Sequence, residues 1–204
     1  MSVLEGEPVP LVLAHGAGAP MDSEFMNAVA EGLEGGGVRV LRFEFDYMAK
    51  RRVDGKRRGP DRAPKLIARF EEVIREVGDA ATMVIGGKSM GGRIASMIAD
   101  DMGAAGCLCL GYPFHPPGKP ERLRTAHLET LTTPTLIVQG TRDAFGGRDE
   151  VEGYALSDAV ELAWVDDGDH SFKPRKKSGR TLEENLQAAI DASRDFILRC
   201  VQAR

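Results

Sequence analysis

The run Thr82-Met83-Val84-Ile85-Gly86-Gly87-Lys88-Ser89-Met90-Gly91-Gly92-Arg93 carries the reading that decides the architecture. A short apolar segment, Thr82 to Ile85, passes straight into a glycine-rich turn. Ile94, Ala95, Ile98 and Ala99 then recur at helical spacing. Gly87-Lys88-Ser89-Met90-Gly91 matches the pattern G-x-S-x-G. Between a strand and a helix, that pattern places a serine on a sharp turn, with glycine where backbones must approach closely. The Ser89 hydroxyl is then expected above the carboxyl ends of the strands, at a helix N-terminus that favours negative charge.

The same alternation extends in both directions. Leu11 to Ala14 is an apolar run ending in His15-Gly16-Ala17-Gly18. Phe25, Met26, Val29, Ala30 and Leu33 share one helical face, and Gly35-Gly36-Gly37 closes that helix. Val38 to Phe45 reads as the second strand. Pro64 to Val77 is the most regular helix, with Leu66, Ile67, Phe70, Val73, Ile74 and Val77 on one stripe. Thr82 to Ile85, Cys107 to Leu110, Thr135 to Val138 and Val160 to Val165 complete six strands. A last helix opens at Thr181, with Glu184 three residues on as a capping box. Leu186, Ala189, Ile190, Ile197 and Val201 form its inner face. Strands alternating with helices predict a three-layer α/β/α fold whose six-stranded, mostly parallel sheet is covered on both faces. Residues 1–204 read as one domain. Asp46 to Ala63 reads as a long irregular loop, and the Leu110–Pro134 connection is too short for a separate lid domain.

Composition narrows the class. A chain of 204 residues, 42% hydrophobic and 28% charged, can bury a sizeable core. A net charge of −4 supplies no global basic field, so no nucleic-acid partner is expected. No segment approaches the roughly 18 apolar residues of a membrane span. The first residues, Met1 to Pro8, lack the basic and apolar regions of a secretory leader. Cys107, Cys109 and Cys200 read as reduced core thiols of a cytoplasmic protein, and no Cys/His spacing suggests zinc.

A serine hydroxyl needs a base to become a nucleophile. The histidines are His15, His115, His127 and His170. His170 lies in Asp166-Asp167-Gly168-Asp169-His170-Ser171-Phe172, just after the last strand, at the sheet edge where Ser89 is expected. His15 also lies at that edge, in a context that suits loop shaping or pocket lining. His115 could line the site, and His127 is expected on a short helix away from it. The base needs a carboxylate to fix its tautomer. Asp143, in Gln139-Gly140-Thr141-Arg142-Asp143 after the fifth strand, gives the order Ser89, Asp143, His170. Its rivals are Asp149, Asp166, Asp167 and Asp169, the last too close in sequence to grip the His170 ring. Oxyanion donors are expected from the backbone N–H groups of Met90 and Ala17. Tyr47, Met48, Phe114 and His115 are candidate pocket walls beside His15. This chemistry requires no metal and no organic cofactor.

On these stretches the sequence resembles the α/β-hydrolase superfamily, and within it the small, lidless, dienelactone-hydrolase-like members. It is similar to the hydrolase-like domain shared by a testis-expressed protein and a subunit of a histone-acetyltransferase complex. The resemblance spans nearly the whole chain. It implies a minimal α/β-hydrolase fold with strand order 2-1-3-4-5-6 and the site at the switch point between strands 1 and 3. Dienelactone hydrolase itself has cysteine where this chain has Ser89, so a serine esterase or thioesterase is the implied activity. A non-catalytic binding or scaffold module is the competing expectation, with a peptidase behind both. The expected partner is a small-molecule ester or thioester; oligomeric state is not legible. Two basic stretches, Lys50, Arg51, Arg52, Lys56, Arg57, Arg58 and Arg62, then Lys173, Arg175, Lys176, Lys177 and Arg180, would favour an anionic substrate if they border the mouth. The bland alternative is two solvated loops paired with nearby acids.

Overall fold

The computed structural model describes residues 8–202. The first seven residues, from which the absence of a leader is read, lie outside the described part. The order is β1 (Val9–Ala14), α1 (Glu24–Glu34), β2 (Val38–Phe43), α2 (Asp46–Asp54), α3 (Ala63–Val77), β3 (Val84–Lys88), α4 (Met90–Met102), β4 (Gly106–Leu110), β5 (Thr135–Gly140), α5 (Arg148–Val151), β6 (Val160–Val165) and α6 (Leu182–Gln202). The strands form one six-stranded sheet ordered β2-β1-β3-β4-β5-β6. All of its pairings are parallel, not merely most.

Alternation along the strands sorts the core into two layers. Leu11 and Leu13 of β1 pack with Met26, Val29 and Leu33 of α1 and with Ile190, Phe196 and Ile197 of α6. Val12 and Ala14 face the other way, toward Phe70 and Ile74 of α3 and Ile94, Ala95 and Ile98 of α4. The sheet is thus covered on both faces, as the apolar strands require. The capping box of α6 is formed: the Thr181 amide donates to Glu184 Oε2 at 2.7 Å, and the Glu184 amide to Thr181 Oγ1 at 3.1 Å.

Several boundaries differ from the sequence reading, among them the start of β1 at Val9 and the end of β5 at Gly140. The expected loop 46–63 begins with α2, whose only buried residues are Tyr47 and Met48. With so little apolar periodicity, the helix is announced only by its stop, Gly55 in the left-handed region at φ 69°. β2 stops at Phe43, not Phe45. β3 starts at Val84 and runs through Gly86 and Gly87, while Ala80–Thr82 is a 3-10 turn capped by Asp79. The β4–β5 connection holds only a short 3-10 turn, Ala126–Glu129, and no lid is evident.

Candidate active site

Ser89 sits between β3 and α4 with φ 52° and ψ −114°, a backbone state that non-glycine residues avoid. The turn is possible because Gly87 and Gly91, two residues to either side, carry no side chain. A Cβ on Gly87 would come within 2.6 Å of the Ala14 carbonyl oxygen, and one on Gly91 would do the same. The helix therefore packs against β1 at backbone contact, and the serine hydroxyl is pushed clear of the sheet.

His170, after β6, brings Nε2 to 2.9 Å from Ser89 Oγ. Its Nδ1 lies 2.7 Å from Asp143 Oδ2. Asp143, after β5, is buried, and its two oxygens accept from the Phe145 amide (2.8 Å) and from Gln139 Nε2 (3.0 Å). The carboxylate is therefore fixed before it meets the imidazole. Of its rivals, Asp169 caps its own loop through the Ser171 and Lys173 amides. Asp167 is taken by Arg175 and Arg142.

The loop that carries His170 is anchored from several sides. Asn185 of α6 is buried and donates to the carbonyls of Asp166 (3.0 Å) and Phe172 (2.8 Å). Lys88, next to Ser89, sends Nζ to the His170 carbonyl at 2.5 Å. Its ammonium also lies 5.3 Å from the centroid of Phe25 and 6.0 Å from that of Phe172. Burial pushes Lys88 down from the ordinary lysine range to about 8, with Asp143 and Asp169 acting in the opposite direction. Phe145 lies against the imidazole, ring centroids 4.2 Å apart.

Ser89 stands where two lobes of one cleft meet, and Ala17 and Phe145 border both. The first lobe, about 300 Å³, is walled by Phe25, Met26, Ala19 and Phe145, with Lys88 and His170 at its floor. The second, about 370 Å³, lies over Met90 and contains Leu66, Pro113, Arg93 and Arg124. Among the described residues, no acceptor engages the Ala17 amide or the Met90 amide. The Ala17 loop is held from below by the Tyr47 hydroxyl, which donates to the Gly16 and Ala17 carbonyls at 3.3 and 3.0 Å.

The side chains expected as pocket walls are elsewhere. His15 is fully buried: its Nδ1 donates to the Gly16 carbonyl, and its Nε2 accepts from the Phe45 amide. Burial lowers its pKa, in keeping with a neutral ring. Tyr47 and Met48 are turned inward by α2, and Tyr47 reaches the site only through the loop that it braces. Phe114 packs on Tyr112, and His115 Nε2 meets Glu150 Oε2 at 2.8 Å. None of the five borders either lobe. A side chain beside a strand end suits a pocket wall and a core position equally well, and here the interior claims all five. The walls are instead Phe25, Met26 and Phe145, the first two hidden within the α1 stripe. The basic stretches also contribute nothing to the two lobes. Arg52 pairs with Asp22 and Glu44, Arg58 with Asp54, and Arg175 with Asp167.

A parallel sheet of this order, bearing a serine, a histidine and an aspartate in hydrogen-bonding sequence at its carboxyl edge, defines a class of fold and site. A family model described as an alpha/beta hydrolase domain matches residues 7–198, and the chain belongs to that family. Solved structures agree on the fold. An alpha-beta serine hydrolase homologue from Coxiella burnetii is 22% identical, with a TM-score of 0.68 over 92% of this chain and 87% of the other. Est1E from Butyrivibrio proteoclasticus is 16% identical, with a TM-score of 0.66 over 94% and 89%. Dienelactone hydrolase from Anabaena variabilis is 20% identical, with a TM-score of 0.66 over 96% and 88%. No helix among the described residues is long and apolar enough to cross a membrane.

Proposed function

We propose that this protein is a serine hydrolase that cleaves a small carboxylic ester or thioester by acyl transfer to Ser89. One observation carries the reading: the unbroken hydrogen-bond chain from Ser89 Oγ through His170 to Asp143, opening onto a cleft. In the proposed sequence Ser89 Oγ attacks the carbonyl carbon while His170 Nε2 takes its proton. The Ala17 and Met90 amides stabilise the oxyanion, each worth about 3–4 kcal/mol of barrier. Collapse expels the alcohol or thiol, which leaves with the proton from His170. A water then attacks the acyl-enzyme, His170 again accepting the proton; collapse breaks the bond to Ser89 Oγ, which takes that proton back from His170 as the carboxylic acid departs. Asp143 keeps the Nδ1 proton in place and stabilises the imidazolium. His170 serves every proton transfer, so the sequence calls on no cofactor.

The serine and the absence of a lid favour an esterase or thioesterase of the small dienelactone-hydrolase-like group, near the testis-expressed and histone-acetyltransferase-subunit domains. Cys107 and Cys109 are buried with their sulfurs 4.0 Å apart and unbridged, which suits a reducing compartment such as the cytoplasm. A fluorophosphonate probe tests the reading directly. Ser89 should be labelled covalently, and Ser89→Ala should abolish labelling without changing the circular dichroism spectrum. An unlabelled parent that also ignores a panel of acyl esters would instead favour the binding-module alternative.

A further inference from the structure

The second lobe holds two arginines that no carboxylate pairs. Arg93 lies one turn of α4 beyond Ser89, and its amide donates to the Ser89 carbonyl at 3.0 Å. Arg124 enters the same lobe from the β4–β5 connection. Among the described residues, neither guanidinium has a carboxylate within 4.0 Å. Arg93 Nε is the one buried side-chain nitrogen or oxygen among them without a hydrogen-bond partner. Such an atom calls for an explanation, because leaving a charged donor dry and unpaired is costly. The one acid bordering the lobe, Asp61, is bonded by Lys65 at 3.2 Å.

The surroundings hold the two arginines in place. The Ser96 hydroxyl donates to the Arg93 carbonyl at 2.9 Å, and the Tyr112 hydroxyl to the Arg124 carbonyl at 2.8 Å. His127 Nε2 lies 2.9 Å from Ser96 Oγ and 3.4 Å from Tyr112 Oη. Both hydroxyl protons are already committed, so His127 carries its proton on Nε2 and donates. Burial and the Arg93 charge lower His127 to about 4, so the ring bridging the two arginine-bearing segments is neutral at physiological pH. Burial and the neighbouring Arg93 charge also lower the Arg124 pKa.

We propose that this lobe is an anion subsite, in which Arg93 and Arg124 hold a carboxylate or phosphate carried on one arm of the ester cleaved at Ser89. The inference rests on the proposed hydrolase reading and deepens it: the substrate has an apolar arm in the first lobe and an anionic arm in the second. Two guanidinium groups suit such a ligand better than point charges would, because each can present paired N–H donors to a carboxylate or a phosphate.

The test compares matched esters. In one pair a 4-nitrophenyl ester carries either a succinyl or a butyryl acyl group. In the other, a butyryl ester has either 4-hydroxybenzoate or phenol as its leaving group. The anionic member of at least one pair should show the higher kcat/KM, by about tenfold or more. That ratio should fall toward one in Arg93→Gln and in Arg124→Gln, partly return in Arg124→Lys, and survive the loop change Lys176→Glu/Lys177→Glu. Neutral esters matching or beating their anionic partners in both pairs would overturn the subsite, as would a ratio that survives both glutamine variants. Calorimetry of the Ser89→Ala protein with monomethyl succinate and with inorganic phosphate decides the matter if no ester is turned over. Binding that is lost on adding Arg93→Gln sustains the subsite, and no binding of either anion, or binding that survives Arg93→Gln, removes it; fluorophosphonate labelling of the parent decides the hydrolase reading separately.

Discussion

In the proposed mechanism Ser89, His170 and Asp143 act along one hydrogen-bond chain, so their contributions should not multiply. His170→Ala and Asp143→Asn are each expected to lower kcat by about 10⁴-fold, and the double variant to be little worse than the poorer single. Losses that multiply, measured under single-turnover conditions, would break the assignment. Lys88 is a second matter at this scale, because it anchors the His170 backbone with a buried ammonium. Its pKa of about 8 in the fold lies below the model-peptide value of 10.5. Between those values the unfolded chain binds the extra proton, so the Lys88 contribution to stability rises with pH across that window. The penalty for burying the charge is complete below about pH 8 and gone above 10.5. Urea unfolding of the wild type and of Lys88→Met should therefore show the stability difference shifting toward the wild type as pH rises through this range. A flat difference would mean that Lys88 titrates normally. Ser89, His170 and Asp143 were legible because motif, chain order and strand ends restrict them to few positions. Lys88 was quoted in the motif, yet its reach to His170 depends on a loop 82 residues away.

Helix α2 shows what an element can hide. Seven of its nine residues are exposed or half-buried, so the sequence reads as a charged loop. Its inward residue Tyr47 braces the Ala17 loop, linking a helix that periodicity does not reveal to a backbone amide beside Ser89. Tyr47→Phe removes the hydroxyl and keeps most of the ring packing. It is expected to lower kcat about tenfold with KM little changed, less than the loss of a whole oxyanion donor. Equal kcat in the variant would make Tyr47 a packing residue only. At the other extreme, α6 announces itself through Thr181 and Glu184. Thr181→Ala should cost about 1 kcal/mol in denaturant unfolding and leave fluorophosphonate labelling unchanged. A cap is legible because it is local; the brace is not, because its partners lie 30 and 31 residues away.

Over the whole molecule, layers, strand number and strand order follow from alternation and from the resemblance, whereas the cleft walls do not. Which apolar residue faces a cavity and which faces the core is settled by how α1 lies on the sheet, and no periodicity encodes that angle. The cleft opens directly to solvent, with no covering domain in the described residues. Short soluble esters should thus be turned over without a rate jump at the substrate's micelle concentration, and a sharp jump in a concentration series would contradict an open mouth. In the basic stretches Arg52, Arg58, Arg175 and Arg180 are paired with acids and no member borders the cleft, so these cations are expected to act only through the long-range field, which salt screens within about 8–10 Å.

The positive φ of Ser89 has a bearing on history as well as on chemistry. Glycine at this point would relieve strain of about 1–3 kcal/mol, offset in part by the freedom it gives the unfolded chain. A lineage keeping the domain merely as a docking platform would be free to drift to glycine, since most substitutions there that ease the turn would go unopposed. Serine on this turn is the less comfortable choice for the backbone, and the proposed nucleophilic role is what would make that cost worth keeping.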